Sequence, residues 1–160
     1  MSSYINYVLN NFPQDTCVLE IGAGFRSTKS FSQYFNKMYS IEHDHSFIGH
    51  YDSEYLHVEI NNETGWYDVD QFRKNLPKDY DLIILDGPQG GFIPSKPSNK
   101  EFRYGFCNLF QDIKKNVIII VDDTDRPWRE VEVVEFLKSK GYRVDVKDGF
   151  TVCHPQKELK

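Results

Sequence analysis

Val18-Leu19-Glu20-Ile21-Gly22-Ala23-Gly24 is a short apolar run that stops in a glycine turn. Two later segments stop as abruptly on carboxylates: Leu82-Ile83-Ile84-Leu85-Asp86-Gly87-Pro88 and Val117-Ile118-Ile119-Ile120-Val121-Asp122-Asp123. Continuous aliphatic and β-branched runs of this length, closed by turn residues, are the pattern of strands buried on both faces of a parallel sheet. In an open sheet of that kind, ligands sit outside the carboxyl ends of the strands. The glycine turn and both carboxylate clusters are therefore expected to face one crevice, the pattern of an enzyme that acts on small molecules.

Outward from these runs, strands and helices alternate. The apolar spacing predicts a leading helix over residues 4–12, stopped by Pro13. Strand one covers 17–21, and Ser27 or Thr28 is placed to cap a helix running to about residue 36. Strand two covers 38–41 and ends at Glu42, and a weaker third strand covers 55–60 and ends at Asn61. A helix follows over 66–76, with Asp68 and Asp70 at its start, where negative charge suits the helix dipole. Strand four covers 82–85. The Gly/Pro-rich stretch 87–100 is too long for a simple connector and reads as a binding loop. A helix over 101–112 and strand five over 117–121 come next, then a helix over 128–140 opened by Pro127 and closed by Gly141. Asp148-Gly149 joins two final strands, 142–146 and 150–154, in a hairpin. The expected architecture is a single Rossmann-like α/β domain over 1–160, with residues 1–14 as its leading helix. Its sheet is doubly wound, mostly parallel, with an antiparallel C-terminal hairpin strand.

Composition narrows the function classes. The 160 residues are 39% hydrophobic, enough for one buried core. Aromatic residues make up 15% and Ala23 is the only alanine, so the helices depend on packing more than on propensity. A net charge of −5 argues against a broad nucleic-acid surface. Cys17, Cys107 and Cys153 are odd in number and lack metal-site spacing, so reduced thiols are the simplest reading. The first residues show no signal-peptide pattern, and no apolar run approaches the roughly 18 residues that span a bilayer. The expectation is a soluble, cytoplasmic protein with a small-molecule partner; a homo-oligomer is compatible with it.

The glycine turn departs from two familiar patterns. A dinucleotide fingerprint needs a third glycine where Ser27 stands. A P-loop needs glycine at Ala23 and Thr28, before Lys29-Ser30. What remains is a glycine turn preceded by Glu20 and partnered by Glu42, a carboxylate able to accept both hydroxyl hydrogens of a ribose.

Glu20-Ile21-Gly22-Ala23-Gly24 with Glu42 resembles the first two motifs of class I S-adenosylmethionine-dependent methyltransferases. Residues 82–88 and 117–123 resemble their fourth and fifth strands, and the final hairpin resembles their reversed last strand. The resemblance covers nearly the whole chain from about Thr16. It implies that Glu20, Gly22, Ala23 and Gly24 face the methionine part of the cofactor, that Glu42 holds the ribose and that Asn61 lies near the adenine. The family often has glycine where this chain has Arg26.

Asp86, Asp122 and Asp123 end neighbouring strands, and converging carboxylates repel one another without a positive centre. A hard divalent cation with oxygen ligands, Mg²⁺ or Mn²⁺, is one solution, and it would also lower the pKa of a substrate hydroxyl. The arrangement resembles metal-dependent O-methyltransferases of the catechol and macrolide-sugar kinds. Asp86-Gly87-Pro88 followed by Asp123-Thr124-Asp125-Arg126 also resembles the glucuronoxylan-type sugar methyltransferases. Across the two resemblances the implied ligands are Asp86, Asp122, Asp123 and Asp125, in two registers that differ. Asp86 could instead contact the cofactor amine or position substrate without metal, while Asp122, Asp123 or, by better spacing, Asp125 could cap the following helix.

His43 and His45, beside Glu42, are candidate general bases. The lysine base of catechol-type enzymes corresponds here to Gln89. Lys96 and Arg103, with Lys100, could bind an anionic acceptor, and Phe92, Tyr104 and Trp128 could stack on a ring. The expected activity is O-methyl transfer from S-adenosylmethionine to a small polar acceptor, a sugar or sugar-like metabolite, with metal assistance. A lyase or hydrolase that breaks the cofactor, and a non-catalytic cofactor-binding module, remain the alternatives.

Overall fold

A computed structural model describes residues 3–88, 105–125 and 131–156. One seven-stranded sheet organises them, in the order β3-β2-β1-β4-β5-β7-β6. The strands are β1 (Cys17–Ile21), β2 (Lys37–Glu42), β3 (Glu54–His57), β4 (Leu82–Leu85), β5 (Ile118–Asp122), β6 (Arg143–Val146) and β7 (Phe150–His154). β1 pairs in parallel with β2 and β4, and β4 pairs in parallel with β5. β7 lies antiparallel between β5 and β6. The mostly parallel α/β sheet with its reversed C-terminal strand is the predicted one.

Side-chain alternation divides the core. Val18, Met38, Leu82, Ile84, Ile120 and Val152 point to one face, where α1 (Ser3–Asn11) and α2 (Ser27–Tyr34) pack through Tyr4, Ile5, Val8 and Phe31. Leu19, Ile21, Ile41, Ile83, Leu85, Ile119 and Val121 point to the other face. There they meet Phe72 of α3 (Val69–Asn75), Phe106 of α4 (Gly105–Asn108), and Val133 and Leu137 of α5 (Val131–Ser139). Every residue of β1 and β4 is buried, as two covered faces require.

Several boundaries differ from those predicted. β3 stops at His57 because the chain then turns back on itself: Ile60 bridges Tyr67 in a local antiparallel pair. Trp66 and Tyr67 are consequently core residues outside a helix. α3 begins only after Asp68, whose carboxylate accepts the Gln71 N–H at 2.8 Å. At the start of α2 neither Ser27 nor Thr28 serves as cap; Arg26 occupies that position, with no side-chain cap bond. The expected start of the last helix at Pro127 and Trp128, which Asp125 would cap, together with most of the 87–100 loop and the first part of the 101–112 helix, falls outside the described residues. Among the described residues no helix is long and apolar enough to cross a membrane.

Candidate active site

The strand order reverses between β1 and β4, since β1 leads outward to β2 and β3 on one side while β4 leads to β5 on the other. A switch point of this kind opens a crevice at the carboxyl ends of the two central strands. Its floor is built by two glycines. Gly22 has φ +93°, and a Cβ on Gly87 would stand 2.5 Å from the Gly22 Cα. The Asp86 and Gly87 N–H groups both donate to Ile21 O, at 3.0 and 2.8 Å. The turns after β1 and β4 thus touch backbone to backbone, which only glycine permits. Gly22, read from sequence as an approach to ligand, is first an approach to Gly87.

Glu42 closes β2 beside this floor. Its Oε1 accepts the backbone N–H groups of His43 and Asp44, at 2.7 and 2.8 Å. His43 Nδ1 lies 2.8 Å from the same oxygen. The carboxylate is therefore held in one orientation by its own following loop. His43 also packs edge-on to Tyr67, with ring centroids 6.1 Å apart. His45 stacks on His57 at 4.1 Å, and His57 Nε2 lies 3.0 Å from His43 O. Both candidate histidines thus belong to the Glu42 side of the crevice. Beyond them Phe25, from the glycine loop, packs on Phe47 and His50 at 4.8 and 5.2 Å. Asn61 lies four residues past the end of β3, and its Oδ1 accepts the Glu63 and Thr64 N–H groups in a local turn.

Glu20 is fully buried below the glycine turn. Its Oε2 accepts from Thr28 Oγ1 at 2.6 Å and from Ser40 Oγ at 3.2 Å. Thr28 Oγ1 in turn accepts the Gly24 N–H at 2.9 Å, so the acid holds the glycine loop through one hydroxyl. Burial pushes the Glu20 carboxyl from an ordinary 4.5 up to about 8, against the opposing pull of the Ser27 and Thr28 hydroxyls. The Thr28 contact was not read from the sequence, although its spacing of four residues from Gly24 was available there.

Alternation also sorts the carboxylates. Asp86 and Asp122 stand in phase with Ile84 and Ile120, on the face covered by α1 and α2, and their register makes them lateral neighbours. Asp123 is out of phase with them and has φ +62°, and Asp125 is exposed beyond the strand. Among the described residues no three His, Cys, Asp or Glu side chains form a group able to hold a metal ion. The predicted four aspartates therefore do not form such a group: Asp86 and Asp122 share a face, whereas Asp123 and Asp125 lie beyond the end of β5. Tyr4, which the sequence reading placed only in a packing helix, donates its hydroxyl to Asp86 Oδ2 at 2.6 Å. Lys96 and Arg103, with Gln89, Phe92, Lys100 and Tyr104, lie outside the described residues.

All three thiols are free, and burial raises each, to about 11 for Cys17 and about 12 for Cys107 and Cys153. None is a candidate nucleophile.

Comparison with solved structures follows the same architecture across 94–99% of this chain in the matches considered. The fold is that of S-adenosylmethionine-dependent methyltransferases. MycE methyltransferase from the mycinamycin biosynthetic pathway, described in complex with Mg and S-adenosylhomocysteine, superposes with a TM-score of 0.61 at 14% identity. That match covers 98% of this chain and 46% of MycE, so the chain spans about half of that protein's length. A TehB-like S-adenosylmethionine-dependent methyltransferase from Corynebacterium glutamicum gives 0.59 at 14% identity, covering 96% of this chain and 86% of that one. The magnesium protoporphyrin IX methyltransferase ChlM from Synechocystis, with bound S-adenosylmethionine, gives 0.57 at 12% identity, covering 96% and 78%. No family model and no curated protein matches the sequence.

Proposed function

We propose that the protein is an S-adenosylmethionine-dependent O-methyltransferase acting on a small polar acceptor of sugar or sugar-like type. The observation that carries this reading is the crevice floor at the switch point, with an oriented Glu42 on one side and Asp86 on the other. The donor set suits the cofactor's parts. Glu42, held by two N–H groups, offers a carboxylate to a ribose diol. Asp86 supplies negative charge on the methionine side, where an ammonium and a sulfonium would stand, and the buried Glu20, whose carboxyl burial pushes up to about 8, holds the glycine turn there through Thr28. When bound, the cofactor supplies an electrophilic methyl group on that sulfonium.

The chain's own contribution is alignment and proton removal. Asp86, at the end of β4, is the carboxylate proposed to take the acceptor hydroxyl's proton as the methyl is transferred. His43 and His45 are assigned to the cofactor side, through their contacts with Glu42 and His57. The sugar-like acceptor rests on the resemblance carried by Asp86-Gly87-Pro88 and Asp123-Thr124-Asp125-Arg126. Lys96 and Arg103 are proposed to meet an acidic group on that acceptor. No step is routed through a divalent cation, because the aspartates expected to bind it do not form one donor set.

Titration calorimetry with S-adenosylhomocysteine tests the reading. One-to-one binding is expected, and Glu42→Ala is expected to weaken it at least about tenfold, the scale of losing charge-assisted hydrogen bonds. Absence of heat with the unaltered protein would overturn the proposal. Repeating the titration with Mg²⁺ present is expected to leave the affinity unchanged; a cation-dependent gain would return the metal to the mechanism.

A further inference from the structure

Glu20 is the fully buried acid of β1, and its two carboxyl oxygens stand in unequal surroundings. Oε2 accepts two hydroxyls, from Thr28 at 2.6 Å and from Ser40 at 3.2 Å, whereas Oε1 is buried and makes no hydrogen bond among the described residues. An ionised carboxylate offers acceptors on both oxygens, and leaving one of them buried and bare is costly. A neutral carboxyl fits this arrangement: Oε2 accepts as a carbonyl oxygen does, and Oε1 carries the proton. The same Thr28 hydroxyl accepts the Gly24 N–H at 2.9 Å, so the acid is tied to the glycine turn. On its other side Ser40 Oγ lies 2.8 Å from Ser53 Oγ, so a line of two hydroxyls leads from the acid to the half-buried residue before β3.

Among the described residues, the titratable groups that face Glu20 are Asp86 at the end of β4, Tyr4 of α1 and Tyr55 of β3, all of them acids. Burial raises the carboxyl first, the Ser27, Thr28 and Ser40 hydroxyls lower it, and Asp86 raises it again. A cation brought to the glycine turn shifts that balance, because it stabilises the ionised form where water cannot. A cofactor of the proposed kind brings two cations, an ammonium and a sulfonium, against one carboxylate. We infer that Glu20 is a proton-linked binding residue: neutral without cofactor, it releases its proton to solvent as the cofactor's positive charge reaches the glycine turn, and the carboxylate left behind holds that charge. The inference rests on the methyltransferase reading. It adds a preference, set by pH, for the cationic cofactor over its neutral-sulfur product.

The test needs no knowledge of the acceptor. Calorimetry in two buffers of different ionisation enthalpy counts the protons exchanged when a ligand binds. At pH 7 an acid of about 8 is about nine-tenths protonated, which sets the largest release available to Glu20. S-adenosylmethionine is expected to release most of that proton, and S-adenosylhomocysteine, which has no net charge, clearly less. Glu20→Gln keeps the shape of the neutral acid and has no proton to give, so the difference between the two ligands is expected to vanish. The imidazoles beside Glu42 are present in both proteins and cancel from that comparison. On the unaltered protein alone, a proton must leave before the cation is held, so affinity falls with pH below 8. The preference for S-adenosylmethionine is therefore expected to rise by up to about ninefold from pH 6 to pH 7 and to level off above 8. Equal release by the two ligands, a difference that survives in Glu20→Gln, or a preference independent of pH would each overturn the linkage. Failure to bind S-adenosylhomocysteine at all would instead overturn the functional reading, and this inference with it.

Discussion

Glu20 shows how one buried acid can be both structural support and a source of pH dependence. Its carboxyl rises from 4.5 to about 8 on folding, so between these values the folded chain holds a proton that the unfolded chain releases. Stability from this group is complete below about pH 4.5 and declines as pH rises through 8, with a slope of at most about 1.4 kcal/mol per pH unit. Glu20→Gln, which mimics the protonated form, is expected to match the unaltered protein in urea unfolding at pH 5 and to exceed it at pH 9. A parallel pH dependence in both proteins would contradict the buried-acid account. At this scale the sequence showed the acids but not their partners. Glu42, Asp86 and Asp122 stand out because each follows a strand. Tyr4 and Thr28 do not, because their partners lie across the sheet or one turn into a helix, and a hydroxyl in a helix leaves no local mark.

At the scale of elements, the sheet was legible because its central strands are buried on both faces and are therefore continuous apolar runs. Strands β1, β4, β5 and β7 and their neighbours follow from those runs and from the turns that end them. The same reasoning failed between β3 and α3. Trp66 and Tyr67 have helix-compatible spacing, yet Tyr67 closes a local bridge with Ile60 and the cap at Asp68 fixes a later start. The metal expectation, drawn from two resemblances in different registers, finds no assembled site among the described residues: Asp86 and Asp122 end neighbouring strands, whereas Asp123 and Asp125 lie beyond β5. The joint between β1 and β4 carries a direct prediction. Gly87→Ala places a methyl on the Gly22 backbone, and overlap of this kind costs on the order of 2 kcal/mol. Chemical denaturation should show that loss, and S-adenosylhomocysteine affinity should fall with it because both turns must shift. Unchanged stability would mean that the floor is not close-packed.

At the scale of the whole molecule, two cores share one sheet, so neither can be lost alone. Phe31→Ala on the α1–α2 face and Leu137→Ala on the α5 face should each lower stability by about 3 kcal/mol. Far-UV circular dichroism and tryptophan fluorescence should still report one coincident transition in both variants. Two separate transitions would show the faces to be independent.

The antiparallel course of β7 also decides how the protein can be held in an experiment. Ser3 sits at the carboxyl rim of the sheet, touching the β6–β7 turn, whereas β7 runs from that rim toward the opposite one. His154, paired with Arg143, therefore comes out on the far side from the crevice. An affinity handle or surface anchor joined ahead of Ser3 would leave from the carboxyl rim of the sheet, one residue from Tyr4. One joined beyond β7 would leave the mouth facing solution.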